Sequence, residues 1–312
     1  ARSLDGVNAF KLAVEKYNRS GNAMIAIGVK SMFLFGKRSL TYMMYPNEWS
    51  YEKEGGTINY NNILYGNVTH NYQKKNCLGS LDFMMRTSAF GNGYDFTTFA
   101  FTHKHRQKMW RFFLNTRFFI QYALGSQLPD ESALYLAGAN PESLLDNKFT
   151  RSFGFFPQSW GGYGTGLNHF QAGGGLNLRA YAGYLVAQEL SDGTVIPVYK
   201  GSSGAAINAE LDLDRLVTFR PRFTREWLRW NLYLFGDAGV INYNQPSNRL
   251  KLADIRADAG VGTALTIKKW GRFDKIKPFT IRFDVPLFMN RPPAVDGDYF
   301  KFRWIVGINR AF

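Results

Sequence analysis

The chain has 312 residues, a formal net charge of +14 from 38 Lys and Arg against 24 Asp and Glu, and an aromatic load of 27 Phe, 17 Tyr and 7 Trp. Only 45% of its residues are hydrophobic and no stretch approaches the roughly 20 apolar residues of a membrane helix, which excludes a helical membrane protein. A closed barrel is the other way to cross a bilayer with every backbone group satisfied, and its sequence is polar on average because half of each strand faces the lumen.

Alternating segments separated by turn signals predict antiparallel strands near 7–17, 22–35, 38–46, 57–70, 76–89, 94–103, 110–124, 204–214, 229–242, 253–267, 278–288 and 300–312. The fold class is all-β: a transmembrane antiparallel β-barrel of about 12 strands, with 14–16 as the alternative count, forming a single domain over 1–312. An even count returns both termini to the same side. The lone Cys77 reads as a small wall residue and leaves no intramolecular disulfide. Ala1-Arg2-Ser3 carries no visible signal peptide, so the chain is expected to be processed or to lack an upstream part.

The basic residues gather in short clusters between apolar strands, such as His103-Lys104-His105-Arg106-Gln107-Lys108 and Lys268-Lys269-Trp270-Gly271-Arg272. They form no helical face or tract of stacking aromatics, so nucleic acid is not an expected partner. Turns beside anionic headgroups or a cationic lumen suit them better, which makes outer-membrane lipid and lipopolysaccharide the expected surroundings.

One connection breaks the rhythm, the long loop 125–203, far beyond ordinary loop lengths. It holds a candidate short helix, 129–136, and a stretch rich in glycine and aromatics, 153–164. With seven strands before it and periplasmic termini, it lies outside the cell and folds over or into the barrel.

After residue 200 the alternation separates two faces. Ala205, Ile207, Ala209 and Leu211 oppose Asn208, Glu210 and Asp212; Trp230, Leu232, Leu234 and Ala238 oppose Phe235, Asp237 and Gly239; Ile255, Ala257 and Val261 oppose Arg256, Asp258, Gly260 and Gly262; Ile281, Phe283 and Val285 oppose Arg282 and Asp284. Charge on one face only is what a lipid-facing wall requires, since a charge at mid-depth costs roughly 2–4 kcal/mol. The last strand places Phe300, Phe302, Trp304, Val306, Ile308 and Phe312 on one face, and Phe312 reads as a C-terminal barrel signal.

Within the long loop stands Gly173-Gly174-Gly175-Leu176-Asn177-Leu178-Arg179-Ala180-Tyr181, followed by five strands. Over residues 110–312 the chain resembles the barrel-assembly insertase, or bacterial surface antigen, superfamily. In that family an Arg-Gly-aromatic motif at a loop tip folds into the lumen and meets acidic wall residues. Arg179 and Tyr181 match, and Ala180 stands where the family has glycine, which permits backbone angles that alanine does not. Phe235-Gly236-Asp237-Ala238-Gly239 is similar to the family's aromatic-x-Asp-x-Gly, the final hairpin resembles its C-terminal signature, and Arg2-Ser3-Leu4-Asp5-Gly6 is similar to the approach to the barrel in Bacteroidetes-type members.

By parity Asp237, Glu210 and Asp212 point into the lumen. An arginine in a partly dehydrated lumen needs a carboxylate, so Arg179 is expected to engage Asp237, with Glu210 or Asp212 as further partners, beside Phe235. The small Gly239, Gly260 and Gly262 are expected to leave room for the tip.

No catalytic constellation, cofactor site or metal site emerges. His103 and His105 lack a neighbouring carboxylate or cysteine in sequence, and Gly161-Gly162-Tyr163-Gly164-Thr165-Gly166 lacks the Lys-Ser/Thr of a phosphate loop. The resemblance implies an integral barrel of the bacterial outer membrane that takes part in assembly or translocation of outer-membrane or secreted proteins, alone or with other outer-membrane or periplasmic proteins. The physical means would be an openable seam between first and last strands. The alternative is a membrane anchor for an upstream enzyme domain such as a zinc metallopeptidase.

Overall fold

The structure, a computed structural model, describes residues 7–34, 52–53, 57–58, 60–89, 91, 93–146, 169–182, 186–189, 195–198, 200–213, 226–242, 250, 254–268, 278–292 and 298–312. Eleven strands pair antiparallel in chain order to form the wall of the barrel. They are β1 Val7–Tyr17, β2 Ala23–Leu34, β3 Asn61–Lys74, β4 Cys77–Ser88, β5 Asp95–Met109, β6 Phe112–Gln127, β7 Ser203–Asp212, β8 Leu228–Asn242, β9 Arg256–Ile267, β10 Phe279–Met289 and β11 Ile305–Ile308. No helix among the described residues is long and apolar enough to cross a membrane.

Burial follows the two-residue period of the sequence. On β7, Ile207 is 58% exposed while Asn208, Glu210 and Asp212 beside it are buried. On β8 and β10, Leu234 and Phe283 face outward while Asp237 and Asp284 are buried. A polar interior and an apolar exterior invert the order of a soluble domain, as the lipid-facing wall of a membrane barrel requires. Exposed Tyr17, Trp110, Trp227 and Trp230 cluster at one end of the strands and Tyr299, Phe300 and Phe302 at the other, the positions of interfacial aromatic girdles.

The interior is filled by the connection between β6 and β7. Leu134, Leu136, Leu176, Leu178 and Tyr181 of that loop form one core with Phe119, Ala206, Ile241, Met289 and Ile305 of the wall. The two halves of the loop also pair: Leu176 N–H donates to the Tyr135 carbonyl at 3.1 Å and Leu178 N–H to Leu136 at 3.1 Å. Hydrogen-bonding the backbone to itself is what lets a loop sit in a lumen without orphaned polar groups.

Several expectations need correction. The segment 38–46 lies outside the described residues, and β2 pairs directly with β3, leaving it no place in the wall between its sequence neighbours. Among the described residues six strands of the wall therefore precede the long loop instead of seven, and the two ends of the wall's chain fall at opposite ends of the barrel. The segment 129–136 forms a 3-10 turn, Asp130–Ser132, followed by a short strand, Leu134–Tyr135, and the helix comes later as α1, Pro141–Asp146. Pro141 opens that helix with its preset φ, and Asn140 caps it by accepting the Ser143 N–H at 2.9 Å. The stretch 153–164 lies outside the described residues.

The cluster His103–Lys108 is not a turn; it lies within β5, where alternation sends Lys104 and Arg106 to the lumen and His103 and His105 outward. The Tyr72 hydroxyl bridges the two imidazoles at 2.8 Å each, crossing over Gly79, where a Cβ would collide with its ring. The last strand is also shorter than 300–312. Asn309 adopts a left-handed φ of 66°, which breaks the alternation after Ile308. Phe312 consequently lines an inner cavity instead of sharing the outer face with Phe300 and Phe302.

A charge on the outer wall tests this arrangement. Ile207→Arg is expected to destabilise the barrel in lipid vesicles by roughly 2–4 kcal/mol, measured by denaturant unfolding. A neutral result there would contradict a lipid-facing β7.

Candidate functional site

The tip of the loop is a single 3-10 turn, Arg179–Tyr181, with every residue buried. Two upstream features bring it there. Gly174 and Gly175, with φ of 154° and 51°, and Asn177, with φ of 60°, take the left-handed angles that bend the chain back into the lumen. Arg117 of β6 then holds the bend, donating from Nη2 to the Gly175 carbonyl at 2.8 Å and from Nη1 to Asn208 Oδ1 at 2.8 Å. Ala180 itself lies in the right-handed 3-10 turn, so the position that holds glycine in the resembling family imposes no strain on alanine here.

Arg179 is completely buried. Its guanidinium forks onto Asp237 of β8, with Nε to Oδ2 at 2.8 Å and Nη2 to Oδ1 at 3.2 Å. Nη1 donates to Glu210 Oε1 of β7 at 2.9 Å and lies 3.8 Å from Asp284 Oδ2 of β10. The guanidinium plane covers the Phe235 ring at 3.8 Å. Four contacts on three strands fix both the depth and the rotation of the tip, which one ion pair could not do.

The flanking residues are held equally. Ala180 N–H donates to Asp258 Oδ2 at 3.0 Å, and the Tyr181 hydroxyl donates to Asn290 Oδ1 at 2.9 Å. Asn208 Nδ2 donates to Asp237 Oδ1 at 3.0 Å and to the Leu176 carbonyl at 3.2 Å, linking the loop backbone to the carboxylate that holds its tip. Arg282 pairs with Asp284 and donates to the Gln171 carbonyl at 2.9 Å.

Asp212 is not a partner of the tip. It lies one inward position beyond Glu210 on β7, about 7 Å along the strand, and faces Arg106 at 3.8 Å. Nor do the glycines make space for the tip directly. A Cβ at Gly260 would strike the Phe235 ring, and one at Gly262 would strike Tyr233 and Asp284, so both glycines seat the wall aromatics beneath the arginine. Gly239 faces Ala206 at the same level of the wall.

A second anchor escaped the sequence reading. Lys30 of β2, a buried cation, donates to Glu142 Oε1 at 3.0 Å and Asp146 Oδ2 at 2.8 Å on α1. Arg86 of β4 also pairs with Glu142, and Asn61 of β3 donates to Glu131 Oε1 at 2.8 Å. The detectable signal was a lumen-facing lysine and arginine in β2 and β4, each of which needs a carboxylate, with Glu131 and Glu142 in the loop able to supply it. Burial alone would raise the Glu142 carboxyl, but Arg86, Lys30 and the Ser132 hydroxyl outweigh it and hold it at about 2.

The loop also meets the last strand. Val306 N–H donates to the His169 carbonyl at 2.6 Å, and Gln171 N–H to the Val306 carbonyl at 2.9 Å, so residues 169–171 run parallel along the edge of β11 away from β10. The His169 ring stacks on Trp304 with centroids 3.6 Å apart and planes 4° from parallel. On its other side β11 has a ladder of only four residues with β10.

No protein-family model matches the chain, and no curated protein matches it. Solved structures do. BamA from Haemophilus ducreyi lacking POTRA domains 1-3 superposes with a TM-score of 0.54 at 13% identity, over 97% of this chain and 54% of that one. CdiB from Escherichia coli gives a TM-score of 0.49 at 13% identity, over 96% of this chain and 45% of that one. The likeness to the first is one of fold: an antiparallel membrane barrel. The chain spans about half the length of either structure.

Arg179→Met leaves Asp237 and Glu210 facing an apolar side chain, and removing one partner of a buried charge pair costs about 3–5 kcal/mol. Limited proteolysis of the purified barrel is expected to open residues 128–202 in this variant. Arg179→Asp combined with Asp237→Arg is expected to fail as a rescue, because the new aspartate would still face Glu210 and Asp284. The other anchor has a pH signature. Its depressed carboxyl contributes in full above the ordinary value of 4.5 and is lost as pH falls towards about 2. Cleavage within 128–146 by an acid protease should therefore rise between those values, and Glu142→Gln should raise cleavage of the same segment by a neutral protease at about pH 7.

Proposed function

We propose that this chain is an integral β-barrel of the bacterial outer membrane that takes part in the assembly or translocation of outer-membrane or secreted proteins, alone or in a complex with other outer-membrane or periplasmic proteins. Outer-membrane lipid and lipopolysaccharide surround its apolar wall. No catalytic step is assigned to it.

The observation that carries this reading is the state of the last strand. β11 has four residues in its ladder with β10, and its other edge is occupied by loop residues 169–171. Backbone pairing along a strand edge is the generic way to receive another strand, and a short ladder is the cheapest to exchange. In this reading the barrel keeps its terminal strand covered by its own loop until a partner strand competes for it. The Arg179 cluster sets the threshold, because residues 169–171 lie a few residues upstream of the tip and Arg282 grips Gln171. The fold similarity to BamA supports the same reading.

The test is conditional depletion of the chain in its own host, followed by quantitative mass spectrometry of isolated outer membranes. Loss of other outer-membrane barrels or of secreted proteins, with their mRNA unchanged, is the expected result. An unaltered outer-membrane proteome would sink the proposal.

A further inference from the structure

At the end of the barrel opposite the long loop lies a lumen cavity of about 600 Å³, well inside the roughly 300–1,000 Å³ range of ligand sites. Lys104, Arg106, Arg229, Lys268 and Arg310 line it, against the carboxylates of Glu210 and Asp212. Both carboxylates face arginines: Glu210 Oε2 accepts from Arg310 at 2.5 Å, and Asp212 faces Arg106 at 3.8 Å. The cavity is thus cationic by composition. Glu210 also forms its roof, because Oε1 of the same carboxylate accepts from Arg179 on the far side.

The cations do not converge on one point. Lys104 and Arg106 come from β5, Arg229 from β8 and Lys268 from just past β9, so with β6 and β7 between them they are spread around the wall, β5 and β8 standing roughly 14 Å apart at about 4.8 Å per strand. A single phosphate or sulfate needs donors aimed at one centre. Separated cations fit negative groups spaced along an extended chain. Between them stand the amides of Asn71, Asn115 and Asn231 and the hydroxyls of Ser80 and Thr266. Side chains that both donate and accept match the alternating N–H and C=O groups of a peptide backbone.

We propose that this vestibule binds an acidic polypeptide segment entering from the end opposite the long loop. Its carboxylates take Lys104, Lys268 and the neighbouring arginines, and its backbone takes the asparagines. Such a segment can belong to any partner protein, so the site stands whether or not the barrel assembles other proteins.

Fluorescence anisotropy of the purified full chain in detergent tests it, with a short fluorescein-labelled peptide of alternating Glu and Ser as probe. Binding that weakens with salt is expected, with none for the matching Lys and Ser peptide. Lys104→Glu with Lys268→Glu is expected to weaken it roughly tenfold or more, while Lys75→Glu, on the exposed turn between β3 and β4, leaves it unchanged. Circular dichroism establishes that both variants keep the β-sheet. Equal affinity in the double variant, or equal loss in Lys75→Glu, would overturn the vestibule as the site. Displacement of the peptide by inorganic tripolyphosphate at lower concentration than by unlabelled peptide would overturn the polypeptide as its ligand.

Discussion

A guanidinium with no solvent contact imposes its needs on everything around it. Stripped of water, Arg179 would be costly to hold without partners on its donors, and the surrounding strands supply them from Asp237, Glu210 and, more distantly, Asp284. Those three carboxylates would in turn repel one another if the arginine were elsewhere. Arg282 and Arg310 also pair with Asp284 and Glu210, but the ion pair of Asp237 is with Arg179, so seating the loop and neutralising the wall charge are coupled. Wall glycines follow from the same requirement: Gly260 and Gly262 let Phe235 and Tyr233 lie flat, and Phe235 offers its face to the arginine.

The loop acts as a strut across the lumen as well as a plug. One foot rests on β2, β3 and β4 through Lys30, Asn61 and Arg86; the other rests on β7 to β10 through the tip. Between the feet, residues 134–136 and 176–178 are hydrogen-bonded to each other. Forces on one side of the barrel therefore reach the other through the loop as well as through the sheet. The edge of β11 is tied to the same body through residues 169–171. A change in the last strand cannot be purely local.

Much of the wall was legible because its inner face is polar and its outer face apolar, a contrast that survives in single residues such as Ile207 beside Asn208. The pattern failed where local geometry outranked it. His103 to Lys108 looked like a turn because charged residues follow one another, yet a strand can carry them when Lys104 and Arg106 turn to a wet lumen and Tyr72 satisfies the two histidines outside. Asn309 ends the last strand by a backbone angle that no hydrophobic pattern encodes. Ala180 was judged against a glycine, but the left-handed bends lie upstream at Gly174, Gly175 and Asn177. The second anchor had only a general signal, the need of lumen-facing Lys30 and Arg86 for a carboxylate, because Glu142 is distant in sequence and belongs to no motif.

The lumen divides its charge by depth, and Glu210 marks the boundary. One carboxylate oxygen belongs to the loop tip through Arg179; the other belongs to the cationic vestibule through Arg310. At and above it, Glu210, Asp237 and Asp284 converge on one buried arginine. Below it, five cations line the cavity against two acids, one of them Glu210 itself. Arg310 follows Asn309, whose left-handed angle redirects the chain after β11, so the residue that completes the boundary is delivered by the same break that ends the last strand. An anion that drew Arg310 away from Glu210 would leave that carboxylate with Arg179 as its remaining cation. Occupancy of the vestibule would therefore be felt at the loop tip through this one shared carboxylate.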